Sequence, residues 1–160
     1  MWKVLATMVA LSGPSWGCNV ITFYTDRLIP ERFGAVNVGP ISLIRPKYRD
    51  DKGLHEHEAV HFRQWATLAA IGPLTAFIAF SSKVEMVQPY LLAILLAPSL
   101  FHGVLYKLIS KYRQACEVSA YKEQLEYYDD DRTELFAGYI ASKYGLDVTH
   151  TQAVKFLKEQ

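Results

Sequence analysis

Two long apolar stretches restrict what this chain can fold into. They cover residues 65–80 and 89–109 and are separated by a short polar link. The second stretch has roughly the 20 residues that a membrane-spanning helix needs, whereas the first is shorter and contains Pro73. A chain of 160 residues has little other surface against which to bury both. We therefore expect residues 66–109 to form an apolar hairpin associated with a membrane. The alternative is a soluble, cytoplasmic domain in which two apolar helices form the core.

A histidine motif precedes the first apolar stretch. It reads His57-Glu58-x-x-His61. On a helix, residues four apart lie on one face with their Cβ atoms about 5–6 Å apart, so both imidazoles can reach one ion at the roughly 2.0 Å that zinc requires. Glu58 then lies beside the metal without binding it, which suits a base acting on metal-bound water. The alternative is that both histidines are polar residues at the edge of a core.

A third ligand is needed, and Glu117 is our candidate. It belongs to a polar, amphipathic helix predicted over residues 111–128. Most acidic residues of this segment have hydrophilic neighbours, whereas Glu117 is flanked by small or apolar side chains such as Cys116 and Val118. A carboxylate that faces the interior beside a metal needs such surroundings. The alternative is an ion pair with Arg113, four residues earlier on the same helix.

The amino-acid composition indicates a single globular domain and no nucleic-acid partner. About half of the residues are apolar (51%), which is ordinary for a single domain with a real core. Net charge is +1 and no basic tract stands out, so nothing indicates a nucleic-acid partner. The two cysteines, Cys18 and Cys116, are far apart and indicate neither a disulfide framework nor a cysteine-based zinc site.

The N-terminal 18 residues combine a basic residue, a short apolar run and a segment rich in small residues and proline. This is the pattern of a signal peptide. Because the apolar run is short, we favour a buried or membrane-touching segment over a cleaved signal. Acylation of Cys18 is disfavoured, since the residues before it form a poor processing site.

Other helices and strands can be predicted from the residues that mark their ends. Alternating residues over 36–46 predict a strand interrupted by Gly39-Pro40, and its prolines suit an edge that could pair with an extended peptide. The alternative is that this strand only covers the histidine helix. Acidic residues 50 and 51 predict the start of the histidine helix, which should end near Gly72-Pro73. Two more helices are predicted towards the C-terminus, over residues 132–143 and, after a Thr149–Gln152 capping box, to about residue 158.

These segments together carry a family resemblance. The histidine motif followed by a helix bearing Glu117 resembles the gluzincin class of zinc metallopeptidases. Three separated segments, Arg45-Pro46-x-Tyr48-Arg49-Asp50, Phe62-Arg63-Gln64-Trp65 and Glu117-Val118-x-Ala120-Tyr121, are similar to small metallopeptidase-like proteins of bacteria and their phages. The apolar hairpin between the ligand helices is similar to the transmembrane helices of membrane-embedded gluzincins.

The resemblance implies a zincin-like fold that is mainly α within the α+β class, with a short edge strand before the histidine helix. It implies Zn²⁺ held by His57, His61 and Glu117, with Glu58 as general base in the hydrolysis of a peptide or protein substrate. It departs from the class at Tyr121, where many gluzincins have an aspartate that orients a histidine. A tyrosine oxygen could still accept a hydrogen bond from an imidazole there.

Two other functions fit the same residues. In the first, the three ligands form a non-catalytic zinc site in a structural or membrane-associated interaction protein. In the second, the chain is a small membrane-active protein in which the hairpin matters and the histidine motif is incidental. Substitutions distinguish the three functions. Only the peptidase needs Glu58, and only the membrane-active protein tolerates the loss of His57 or Glu117.

Overall fold

Helices make up most of the computed structural model, which describes residues 20–81 and 90–159. Within these ranges the strands are β1 (Ile21–Tyr24), β2 (Ala35–Val38) and β3 (Ile41–Ile44), and a 3₁₀ turn follows at Pro46–Tyr48. The helices are α1 (Lys52–Ala69), α2 (Ile71–Ser81), α3 (Leu91–Leu108), α4 (Ser110–Leu125), α5 (Thr133–Lys143) and α6 (His150–Lys158). The prediction of a mainly helical chain with a small strand region and two apolar helices is confirmed. The predicted segment 1–18 and Cys18 lie outside the described residues.

The small sheet has the order β1-β3-β2. Strand β3 lies in the centre, parallel to β1 and antiparallel to β2. We predicted a single interrupted edge strand, and this is wrong for Ile41–Ile44. Gly39 adopts a positive φ of 63°, which lets the chain reverse there and fold the two halves into a hairpin. The edge strands are therefore β1 and β2, and of the predicted segment only β2 lies at an edge.

Helix α1 begins at the acidic residues that predict it. The side chain of Asp51 accepts a hydrogen bond of 2.9 Å from the backbone N–H of Leu54 and so caps the helix. The helix ends at Ala69, slightly before the predicted break. Pro73 lies in the first turn of α2, where a backbone N–H would have no helical partner, so the proline is tolerated there.

Helices α2 and α3 form the predicted apolar hairpin. They pack against each other, and α3 also packs against α1. The contact with α2 is close, because a Cβ added to Gly72 would lie 2.2 Å from the carbonyl oxygen of Leu95. Two helical stretches, Lys52–Ser81 and Leu91–Leu108, are long and apolar enough to cross a membrane by length and composition. Only 11% and 6% of their most apolar windows are buried within the protein.

The C-terminal helices supply a hydrophobic core beside α4. Its buried members are Tyr121, Phe136, Ala137, Ile140, Leu146, Ala153 and Leu157. The predicted capping box is present at the start of α6, where Thr149 and Gln152 exchange hydrogen bonds between side chain and backbone. Helix α4 joins this core to the histidine helix, since it packs against both α1 and α5. The fold thus holds α1 and α4 side by side.

Candidate metal centre

Two helices bring the three predicted ligands together. His57 and His61 lie on one face of α1, and Glu117 lies on the facing side of α4. All three are buried, with 4%, 8% and 1% of their surface exposed. Within the part of the chain that the structure describes, they form the group of histidine and acidic side chains that could hold a metal ion. The alternative partner of Glu117, Arg113, instead donates to backbone carbonyls.

The distances between the ligand atoms fit a tetrahedral ion. The two Nε2 atoms are 3.2 Å apart, and the Glu117 carboxylate lies 3.3 Å from His61 Nε2 and 3.6 Å from His57 Nε2. Bonds of about 2.0–2.2 Å at tetrahedral angles place neighbouring ligand atoms roughly 3.3–3.5 Å apart. The residues present therefore fit Zn²⁺ with one coordination position left for water or substrate.

Gln64 fixes the orientation of His61. Its amide nitrogen donates to the carbonyl of Cys116 over 3.2 Å, which turns its oxygen towards His61 Nδ1 at 3.0 Å. That oxygen can only accept, so His61 carries its proton on Nδ1 and presents a lone pair on Nε2 to the metal position. Burial lowers the pKa of His61, which also favours the neutral, metal-binding form.

Tyr106 supports the carboxylate ligand. It belongs to α3, and its hydroxyl donates a short hydrogen bond to Oε1 of Glu117. Burial alone would raise the pKa of Glu117, but the histidines and this hydroxyl outweigh it and lower the pKa to about 2. Glu117 is thus ionised, and its second oxygen, Oε2, has no hydrogen-bond partner among the described residues.

His57 is oriented differently from our expectation. The hydroxyl of Tyr121 pairs with that of Tyr144 at 2.7 Å, so it does not serve as the acceptor suggested for an imidazole N–H. Tyr121 instead meets the His57 ring edge to face, with ring centroids 4.5 Å apart. Burial lowers the pKa of His57, but interactions with Glu117, Glu58 and Gln124 raise it overall.

Glu58 lies beside the triad without belonging to it. It is buried, and its Oε2 has no hydrogen-bond partner among the described residues. Burial raises the pKa of Glu58 to about 7, although the neighbouring charge of His57 acts in the opposite direction. A carboxyl group with a pKa near neutrality can both accept and release a proton.

A cavity of about 900 Å³ opens onto the centre. Glu58 and two of the three candidate ligands, His61 and Glu117, lie in its wall, so these groups face a space large enough for a ligand. Edge strand β2 borders the same cavity, as does the end of α3 that carries Tyr106. His102 of α3 also faces it and hydrogen-bonds Tyr112 at 2.9 Å, so this histidine of the apolar helix contacts protein.

Comparisons with models of protein families, with curated proteins and with solved structures find no match to this chain. The resemblance to gluzincins therefore stays an expectation drawn from the sequence. What sequence reasoning missed is the set of groups around the ligands, namely Gln64, Tyr106 and Gln124. Only Gln64 had a local signal, since it lies three residues after His61 and thus on the same helix face.

Proposed function

We propose that this protein is a zinc-dependent metallopeptidase. The observation that carries the proposal is the convergence of His57, His61 and Glu117 at tetrahedral spacing beside a buried Glu58. Glu58, His61 and Glu117 also line a large cavity. A site that only stabilised the fold would need neither the cavity nor the extra carboxylate. The mainly helical fold with its small sheet is compatible with a zincin-like arrangement.

In the proposed hydrolysis, the metal and the protein side chains have different roles. Zn²⁺, when bound by the two Nε2 atoms and the Glu117 carboxylate, would lower the pKa of a water to about 7 and polarise the carbonyl of the scissile bond. Glu58 accepts the proton of the attacking water as the new C–O bond forms. It then donates that proton to the amine nitrogen as the C–N bond breaks. Gln64 and Tyr106 keep their ligands oriented throughout.

The edge of the sheet offers a place for the substrate. Strand β2 borders the cavity, and no other strand in the described ranges pairs with its outer edge. An extended peptide could hydrogen-bond to this edge and lay one carbonyl over the metal position. A peptide or protein segment is therefore the substrate that we propose.

We also propose that the apolar hairpin attaches the protein to a membrane. Many of its large apolar side chains are exposed, and helix α3 has 18 residues, a length of about 27 Å at the 1.5 Å rise of a helix. That length is close to the roughly 30 Å thickness of a hydrocarbon core. The low burial of both apolar windows favours lipid over a soluble core as their surroundings. The peptidase centre lies at the base of this hairpin.

The test combines metal content with hydrolysis. We expect about one zinc per chain in the purified protein, and loss of most of it in both His61→Ala and Glu117→Ala. Glu58→Gln should keep the metal and lose about 10²- to 10⁴-fold in the rate of cleavage of dye-quenched casein. Metal retained in Glu117→Ala, or full cleavage in Glu58→Gln, would contradict the assignment.

A non-catalytic zinc site is the second candidate. It is favoured by one observation: the ligands join α1 to α4 and are almost completely buried. In that case a chelator should lower the melting temperature of wild type and Glu58→Gln alike, and neither protein should cleave casein.

A further inference from the structure

Basic side chains line the cavity beyond the metal centre. They are Arg32, Lys107, Arg113 and Lys143, and we call them the basic wall. The acidic residues among the described lining are Glu58 and Glu117, both of which the proposed centre uses. No carboxylate of the described residues pairs with any member of the basic wall. The cavity therefore carries uncompensated positive charge.

Backbone carbonyls hold Arg113 of the basic wall in place. Its Nη1 donates to the carbonyls of Tyr106 (2.7 Å) and Lys107 (3.1 Å), which fixes the guanidinium against the end of α3. Its Nη2 lies 3.5 Å from the carbonyl of Gly145, just beyond α5. Its Nε is buried and has no partner among the described residues, although burying a polar group without a hydrogen bond is costly. Because this Nε is enclosed by protein, Arg113 offers the cavity the charge of its guanidinium rather than this N–H.

Aromatic rings contact two other members of the basic wall, Lys143 and Arg32. The ammonium group of Lys143 lies 3.3 Å from the ring centroid of Tyr139, and the guanidinium of Arg32 lies 4.8 Å from that of Phe33. Phe33 in turn packs on Tyr144, with ring centroids 5.6 Å apart. Burial lowers the pKa of Lys143, as expected for a cation that lacks an acidic partner.

We propose that the basic wall is a binding site for a carboxylate group of the substrate. The proposal rests on the peptidase function for its choice of a peptide as the ligand. Arg113 and Glu117 are four residues apart on α4 and so lie on one face, about 5–6 Å apart at Cβ. A carboxylate held by the wall is therefore close to the bond positioned over the metal.

Two sources of a carboxylate fit this site. One is the free C-terminus of a peptide, which would make the enzyme remove C-terminal residues. The other is an acidic side chain near the scissile bond, which would direct cleavage to sequences containing Asp or Glu. Both share the same chemistry, a carboxylate bound by guanidinium and ammonium groups.

The experiment measures binding separately from hydrolysis. Zinc-loaded Glu58→Gln protein is titrated with two pairs of dye-labelled peptides, and affinity is read by fluorescence anisotropy. In one pair the same sequence ends in a free carboxylate or an amide. In the other pair, an amidated sequence carries glutamate or glutamine at one position. We expect one carboxylate-bearing peptide to bind about tenfold to a hundredfold more tightly than its neutral partner.

The same titrations are repeated in lysine variants. Lys107→Gln and Lys143→Gln, alone and together, should reduce the preference for the carboxylate, whereas Lys111→Gln should leave it unchanged. Lys111 is the matched control because it is exposed on α4 and lies outside the cavity lining. Arg113 is not replaced first, since its bonds to three carbonyls hold α3, α4 and the end of α5 together.

Three results would overturn the proposal. In the first, the two peptides of each pair bind with equal affinity. In the second, the lysine variants keep the wild-type preference for the carboxylate. In the third, the lysine variants change only the binding of the protein to phosphatidylglycerol vesicles relative to phosphatidylcholine vesicles. The last result would assign the wall to lipid headgroups. A carboxylate preference in a protein that cleaves no peptide would remove the peptidase proposal and keep the binding site. Cleavage of peptides without any carboxylate preference would keep the peptidase proposal and remove the binding site.

Discussion

Gln64 is the polar side chain best placed to test how the centre is built. It joins two helices, because it orients His61 of α1 while donating to the carbonyl of Cys116 in α4. Removing such a supporting group usually costs about 10- to 100-fold in metal affinity. We therefore expect Gln64→Ala to bind zinc at least tenfold more weakly, measured by competition with a chromophoric chelator.

The control for this measurement is Gln114→Ala, on α4 and outside the cavity lining. It should keep the zinc affinity of the wild type. Equal affinities for Gln64→Ala and Gln114→Ala would mean that the His61 ring is held by packing alone.

At the residue scale, the sequence predicted the three side chains that converge, but not the groups that support them. His57, Glu58 and His61 share one helix, so their relation follows from a period of 3.6 residues. Glu117 could be selected because its neighbours are apolar. Tyr106 reaches Glu117 from another helix, and nothing in its own neighbourhood indicates this contact. Such contacts depend on how α1, α3 and α4 pack, which local patterns do not specify.

Among the elements, the contact between α2 and α3 gives a sharp prediction. The backbone of Leu95 occupies the space that a side chain at Gly72 would need. Gly72→Ala must therefore push the two helices apart, and we expect a clear loss of stability, measured as a lower melting temperature in detergent.

Gly138→Ala is the matched control, since Gly138 lies inside α5 and the nearest atom to an added Cβ is 4.0 Å away. Alanine favours a helix over glycine by about 1 kcal/mol, so this variant should be as stable as the wild type or more so. A melting temperature of Gly72→Ala at or above that of the wild type would show that the hairpin is not closely packed at this point.

Most elements could be predicted because their ends carry chemical signals. Asp51 and Thr149 cap the helices that they precede, and the apolar stretches define α2 and α3. The sheet was harder to predict, because β1 pairs with β3 in parallel across a long connection. The chain reverses at Gly39 because this glycine adopts a positive φ, which the sequence does not reveal. The same alternation of residues is therefore expected for one interrupted strand and for two paired strands.

At the scale of the whole molecule, the exposed hairpin predicts membrane binding. Phe77 of α2 and Leu96 of α3 are 69% and 53% exposed. An aspartate at the centre of a bilayer costs about 2.5–3.5 kcal/mol on insertion scales. We therefore expect Phe77→Asp and Leu96→Asp to reduce partitioning into lipid vesicles about tenfold or more, measured by flotation.

Leu28→Asp is the control for this comparison, because Leu28 is 85% exposed but lies outside the hairpin, before β2. It should partition like the wild type. If wild type stays in the aqueous fraction as a monomer, or if all three variants float equally, the hairpin has another role.

The order of the candidate ligands along the chain also determines when, during synthesis, the metal centre can form. A growing chain presents His57 and His61 first, then the whole hairpin, and only afterwards Glu117. A nascent chain that has not placed its hairpin therefore holds two ligands and no complete site. Because Glu117 meets the two histidines only once α4 has packed on α1, the complete site would form late in folding. The hydrolysis that we propose would therefore be absent from a chain whose synthesis has not yet passed residue 117.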